Sequence, residues 1–119
     1  MEVTLLGEIP STNRIYRYSC VGGFLRGYMS SEGRARKDEY SWQFKAKRPK
    51  GWKTDERYEV SIQLYFKNKR PHDIDNYNKV ILDSAIGIIW DDDKQIQKLT
   101  ITKAIDRDNP RAFIVINRL

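Results

Sequence analysis

The most regular stretch of the chain is YEVSIQLYFKN, residues 58–68. Tyr58, Val60, Ile62, Leu64 and Phe66 alternate there with Glu59, Ser61, Gln63 and Tyr65. An apolar period of two predicts a half-buried β-strand. EVTLLGEI (2–9), QIQKLTITKAI (95–105) and RAFIVINRL (111–119) carry strand character of the same kind. A different period governs residues 75–88. Tyr77, Val80, Ile81, Ser84, Ala85 and Ile88 recur at helical spacing, so one face of a helix opened by Asp75 and closed by Gly87 is apolar. SSEGRARKDEYSWQFKAKR (30–48) is also expected to be helical, capped by Ser30 or Ser31. Its few apolar residues, Ala35, Trp42, Phe44 and Ala46, give it a thin core face and a wide charged one.

Breaks fall between these segments. PSTNR (10–14) and PKGWKTDER (49–57) combine turn-forming residues, and DRDNP (106–110) reads as a hairpin turn. Residues 14–28, with Gly22, Gly23 and Gly27, read as an irregular connection or a short hairpin. The coarse order is strand-helix-strand-helix-strand-strand. It predicts an α/β fold with a small mixed sheet of about four strands and two main helices. The last two strands are expected to pair as an antiparallel hairpin.

Composition narrows the partners. The 119 residues fit one domain spanning 1–119. The formal charge of +6 favours an anionic partner. One cysteine, Cys20, excludes an intrachain disulfide and a cysteine-based zinc site, and one histidine, His72, excludes multi-histidine metal sites. No apolar run is long enough to span a bilayer, and MEVTLLGEIP is too short and polar for a signal peptide. A cytoplasmic protein with no membrane partner is expected.

Charge is also segregated. Residues 34–53 hold eight bases (Arg34, Arg36, Lys37, Lys45, Lys47, Arg48, Lys50, Lys53) and two acids, Asp38 and Glu39. Trp42, Phe44 and Trp52 lie among them. A solvated helix face would look similar, but cations interleaved with rings suit phosphates and bases. Residues 73–93 hold six aspartates and one base, Lys79. HDIDNYNK (72–79) could be a helix-capping turn, since Asp and Asn accept first-turn amide bonds. Together with Asp91, Asp92 and Asp93 it could instead hold a metal. Clustered carboxylates repel unless a cation compensates, and Mg²⁺ takes oxygen-only ligands. Lys79, four residues past Asp75, could stabilise charge on a phosphate in attack, or simply pair with Asp83 at i+4.

DIDNYNKVILDSAIGIIWDDDKQI (73–96) resembles the signature of RusA-type Holliday junction resolvases. That signature is Asp-x-Asp-Asn, a lysine a turn later, a Leu-Asp or Phe-Asp pair, an aromatic, then two or three acids followed by Gln and an apolar residue. IPSTNRIYR (9–17) and SSEGRARKDEY (30–40) resemble the family's N-terminal segments, with Thr12 where Asn is usual. The resemblance implies a homodimeric endonuclease, dependent on Mg²⁺ with Mn²⁺ as a substitute. Such an enzyme would cut branched DNA, the four-way junction, in two opposed strands. Carried over by position, Asp73, Asp75 and one acid of 91–93 hold the metal. Asp93 is the best match for the third ligand and Asp92 a further candidate, with Lys79 the active-site lysine. The expected DNA contacts are Arg14, Arg17, Arg34, Lys37, Lys45, Arg48, Lys69 and Arg70. The rival expectations are a non-enzymatic nucleic-acid-binding module and a nuclease acting on another branched DNA or RNA.

Overall fold

A computed structural model describes residues 1–119, with all side chains except those of Arg17, Ser19, Val21, Leu25 and Arg26. Six strands form two sheets. The main sheet has the order β1-β6-β4-β5, built from β1 (Glu2–Leu6), β4 (Tyr58–Phe66), β5 (Ile96–Ile105) and β6 (Arg111–Arg118). A hairpin of β2 (Tyr16–Val21) and β3 (Phe24–Met29) stands apart from it, joined through Gly22 and Gly23, both at positive φ. Three helices are α1 (Thr12–Ile15), α2 (Ser31–Lys47) and α3 (Asn78–Ser84). The expected mixed sheet and two main helices are present. The glycine-rich connection is a hairpin.

One face of the sheet is the core. Val3 and Leu5 of β1, the five apolar residues of β4 from Tyr58 to Phe66, and Ala112, Ile114 and Ile116 of β6 are all buried on it. The register explains why: Ile62 lies opposite Ile114, and Ile114 opposite Val3, so the apolar positions line up across three strands. From the helices, Tyr40 and Phe44 of α2 and Val80 and Ile81 of α3 close over this face. Ser30 caps α2, its Oγ accepting the Gly33 N–H at 3.1 Å. The helix stops at Arg48, whose extended backbone is what a following proline favours.

Three expectations need correction. The last two strands do not form a hairpin. β5 pairs in parallel with β4, and β6 pairs antiparallel with β4 on its other side and with β1. The hydrophobicity of each strand accounts for the order. β6 has apolar residues on both faces, with Phe113 and Val115 half-buried opposite the core positions, and it takes a central place. β5 carries Lys98, Thr100, Thr102 and Lys103 and remains exposed at the edge. The 106–110 loop crosses the end of β4, where the Asp106 N–H donates to the Phe66 carbonyl at 2.8 Å. Second, the core face of α2 uses Tyr40 and Phe44, whereas Trp42 is 69% exposed. Third, α3 is shorter than its periodicity, starting at Asn78 and ending at Ser84. Gly87, at φ +82°, belongs to the tight turn that follows, where its N–H donates to the Trp90 carbonyl at 2.7 Å.

Candidate active site

Strand β4 leads directly into the first acidic turn. Beyond Phe66 the chain folds back over the edge strand, where Lys103 Nζ donates to the His72 carbonyl at 2.7 Å. The His72 ring lies flat on Phe66, centroids 3.9 Å apart, and its Nδ1 is 2.9 Å from the Tyr77 hydroxyl. His72 therefore acts as packing beneath the turn. Asp73 and Asp75 flank the half-buried Ile74 in a 3-10 turn, Ile74–Asn76, and both are exposed. Thr12 Oγ1 donates to the Asn76 carbonyl at 2.8 Å, so α1 braces this turn from outside.

Neither aspartate is a side-chain helix cap. Asp73 holds the N-cap position of the 3-10 turn but its side chain accepts no bond there, and Tyr77, not Asp75, precedes α3. Asp75 does not open that helix. The capping explanation for HDIDNYNK thus lacks its hydrogen bonds.

The second acidic turn is tightly built. Asp92 and Gln95 form a capping box around the 3-10 turn Asp93–Gln95. Asp92 Oδ1 accepts from the Lys94 N–H at 3.0 Å, and Gln95 Oε1 accepts from the Asp92 N–H at 2.8 Å. Gln95 Nε2 donates to the Thr54 and Glu56 carbonyls, both at 2.7 Å, and the Asp91 N–H donates to the Thr54 carbonyl at 3.0 Å. These bonds fasten the turn to the loop ahead of β4. They also place Asp92 and Asp93 at the Tyr58 end of the β4–β5 pair, where Tyr58 lies beside Ile96.

Electrostatics connect this turn to α3. Partial burial first, then the Asp92 carboxylate beside it and the Asp83 carboxylate, push Asp93 above its ordinary value. The Lys79 ammonium offsets part of that push. Asp92 moves the other way, lowered first by the Lys94 backbone N–H and then by its hydrogen bond with Asp93. Lys79 Nζ is 3.1 Å from Asp83 Oδ2, the i+4 pair foreseen from the sequence. The same oxygen accepts the Tyr16 hydroxyl at 2.6 Å, and the Lys79 ammonium lies 4.9 Å from the centre of the Tyr16 ring.

Of the expected site residues, Lys79 is held by Asp83 and Tyr16, and its charge acts on Asp93. Asp73 interacts instead with Tyr77, whose hydroxyl is raised mainly by burial and further by the Asp73 charge. Among the described residues, no three His, Cys, Asp or Glu side chains converge as a metal-holding group. Asp73, Asp75, Asp91, Asp92 and Asp93 also share no ion pair among the described residues. Tyr16 was missed because its link to Asp83 spans 67 positions. The Leu-Asp pair of the signature, Leu82–Asp83, was the available hint.

The basic residues divide between two surfaces. Arg14, Arg36, Lys67 and Arg70 line a cleft of about 350 Å³ above Tyr77, where Arg14 is paired with Glu32 at 2.9 Å and Lys67 with Glu8 at 2.6 Å. Lys45 and Arg48 line a groove with Trp42 and Ile88; Lys45 Nζ sits 5.4 Å from the centre of the Trp42 ring. Arg34 and Lys69 are exposed and Lys37 half-buried, while the side chain of Arg17 lies outside the described residues. Of Trp42, Phe44 and Trp52, only Trp42 is free to stack. Phe44 is in the core, and Trp52 stacks on Tyr58 and donates to the Ile89 carbonyl at 2.8 Å.

A search of curated proteins produced no match. A scan against protein-family models matched the model described as endodeoxyribonuclease RusA over residues 7–117, a span that includes both acidic turns, α2, the main-sheet strands β4 and β5, and all but the last residue of β6. This family comprises Holliday-junction-resolving endonucleases. The chain belongs to the endodeoxyribonuclease RusA family.

Proposed function

We propose that this chain is a structure-selective DNA endonuclease that resolves four-way junctions by paired, symmetric nicks in recombination and repair. The observation that carries this reading is the family match over residues 7–117, which spans Lys79, the exposed carboxylates of both acidic turns and the bases of both surfaces. Asp73, Asp75, Asp92 and Asp93 are exposed oxygen donors without basic partners among the described residues. Asp93 is held with its charged form disfavoured, and that donor chemistry suits Mg²⁺ or Mn²⁺. When bound, such an ion supplies Lewis-acid polarisation of the scissile phosphoryl oxygen and a more acidic water.

The remaining work falls to the chain. The Lys79 ammonium offers a positive charge to the oxygens that gain charge as water attacks the phosphorus in line. Hydrolysis then leaves 5′-phosphate and 3′-hydroxyl ends. Arg14 and Arg70 in the cleft, and Lys45, Arg48 and Trp42 in the second groove, grip phosphates and stack on exposed bases. Arg17, Arg34, Lys37 and Lys69 extend that contact. Two opposed cuts call for two active sites, so the working unit is a homodimer.

The deciding experiment incubates wild type and Asp73→Asn with a labelled four-way junction, a duplex and a single strand, with Mg²⁺ or Mn²⁺. Wild type is expected to nick the junction in opposed strands. Asp73→Asn is expected to bind it at least as tightly without nicking, since it presents less negative charge to phosphate. Binding without nicking by wild type would leave a non-enzymatic module. Faster cutting of another substrate would reassign the specificity.

A further inference from the structure

We propose that Tyr16 and Asp83 are positioning residues for Lys79, forming a clamp that aims its ammonium at the reacting phosphate. This deepens the endonuclease reading and rests on it. The geometry is specific. One oxygen, Asp83 Oδ2, accepts from the Tyr16 hydroxyl at 2.6 Å and from Lys79 Nζ at 3.1 Å. The Lys79 ammonium also approaches the face of the Tyr16 ring at 4.9 Å. A lysine has four rotatable bonds and a compact, strongly hydrated charge, so a single exposed i+4 partner would leave it in many orientations. Here the carboxylate and the ring face hold it from two directions, within the range of a cation–π contact.

The clamp is not an ordinary surface ion pair. The Asp83 side chain is only 18% exposed, while Lys79 reaches outward with its side chain 54% exposed. Tyr16 starts the β2–β3 hairpin, directly after α1, and α1 is tied to the Asp73–Asp75 turn through Thr12. The hairpin, the first acidic turn and the lysine therefore share one mechanical link.

The test is a double-mutant cycle of Tyr16→Phe and Lys79→Met, read as single-turnover nicking of a four-way junction, with junction affinity measured alongside. Tyr16→Phe removes one hydroxyl and keeps the ring. It should slow nicking about tenfold, the order expected for a lost hydrogen bond to a charged group, with affinity unchanged. In the Lys79→Met background it should slow nicking less than about twofold, because the group it positions is gone. Equal slowing in both backgrounds would overturn the proposal in favour of a general structural role. Asp83→Asn should behave as Tyr16→Phe does, and equal unfolding midpoints for all the single variants would confirm that folding is not at issue. A second readout does not depend on cleavage: brief acetylation of free amines, quantified at Lys79 by mass spectrometry. Tyr16→Phe should label Lys79 several-fold faster than wild type, and unchanged labelling would overturn the clamp even in an active enzyme. If wild type nicks nothing while labelling still rises in the variant, the clamp stands and the endonuclease reading falls.

Discussion

Gln95 is a sharp point at which to test how the second acidic turn is held. Its Nε2 donates to two carbonyls, Thr54 and Glu56, each at 2.7 Å, and its Oε1 accepts the Asp92 N–H. Gln95→Glu keeps the shape and the accepting oxygen but replaces the donor with an acceptor. Two hydrogen bonds are lost, at about 1 kcal/mol each, and an oxygen now faces two carbonyl oxygens in a half-buried site. The sum is about 2–3 kcal/mol, a fall of roughly 1–2 M in the urea midpoint for a slope near 1.5 kcal/mol/M. The effect carries a pH signature. In its neutral form the introduced carboxyl group can still donate one bond, so the folded state favours the protonated acid and raises its pKa above the unfolded value of about 4.3. The deficit is then smallest below about pH 4 and grows as pH rises through that value. Urea titrations of both proteins at pH 3.5 and pH 7 measure it. An equal midpoint at pH 7, or a deficit independent of pH, would contradict this account of the turn.

Other substitutions probe separate parts of the structure. Gly33→Ala places a methyl 2.4 Å from Ile15 Cγ2 and 3.0 Å from Met29 Cγ, so overpacking of about 1–3 kcal/mol should exceed the roughly 1 kcal/mol gain in helix propensity. A raised thermal midpoint would show that α1 yields instead. Asp93→Asn should stabilise the protein at pH 7 in metal-free buffer. Its folded-state pKa is raised above 3.8, so ionised Asp93 costs stability once pH passes that value, and the gain should vanish near pH 3. Melting curves with chelator at the two pH values give the comparison. Trp42→Ala, on an exposed ring, should leave the folding stability within about 0.5 kcal/mol of wild type while weakening single-strand or junction binding by about 1–3 kcal/mol. Fluorescence-anisotropy titrations decide it, and unchanged affinity would remove Trp42 from the DNA surface.

Much of the fold is legible where one face is wet and the other dry. β4 alternates without a break, and the buried face of α3 from Tyr77 to Ala85 matches its spacing. Ser30 announces the start of α2. Strand order is less legible, because alternation says that a strand has two faces but not which neighbours it keeps. The clue lay on the second face, where Phe113 and Val115 mark β6 as central and Lys98 and Thr100 mark β5 as an edge. In α2 the buried ring is Tyr40 rather than the more apolar Trp42, a choice made by helix phase and not by hydrophobicity. The acidic residues were legible by type and spacing, and the Lys79–Asp83 pair by its interval. The third partner, Tyr16, was not, since tertiary proximity leaves no local pattern.

The sheet order also constrains how the protein is made. β6 is the sixth strand in chain order, yet it fills the gap between the first and fourth. As the polypeptide leaves the ribosome, β1 and one edge of β4 must wait unpaired until residues 111–118 emerge. The parallel β4–β5 unit carrying the acidic turns can form earlier, but it has no second neighbour to buttress it. A chain stalled before residue 111 would thus expose open strand edges alongside a partly assembled set of carboxylates, and nascent copies crowded on one message would be at risk of pairing with each other.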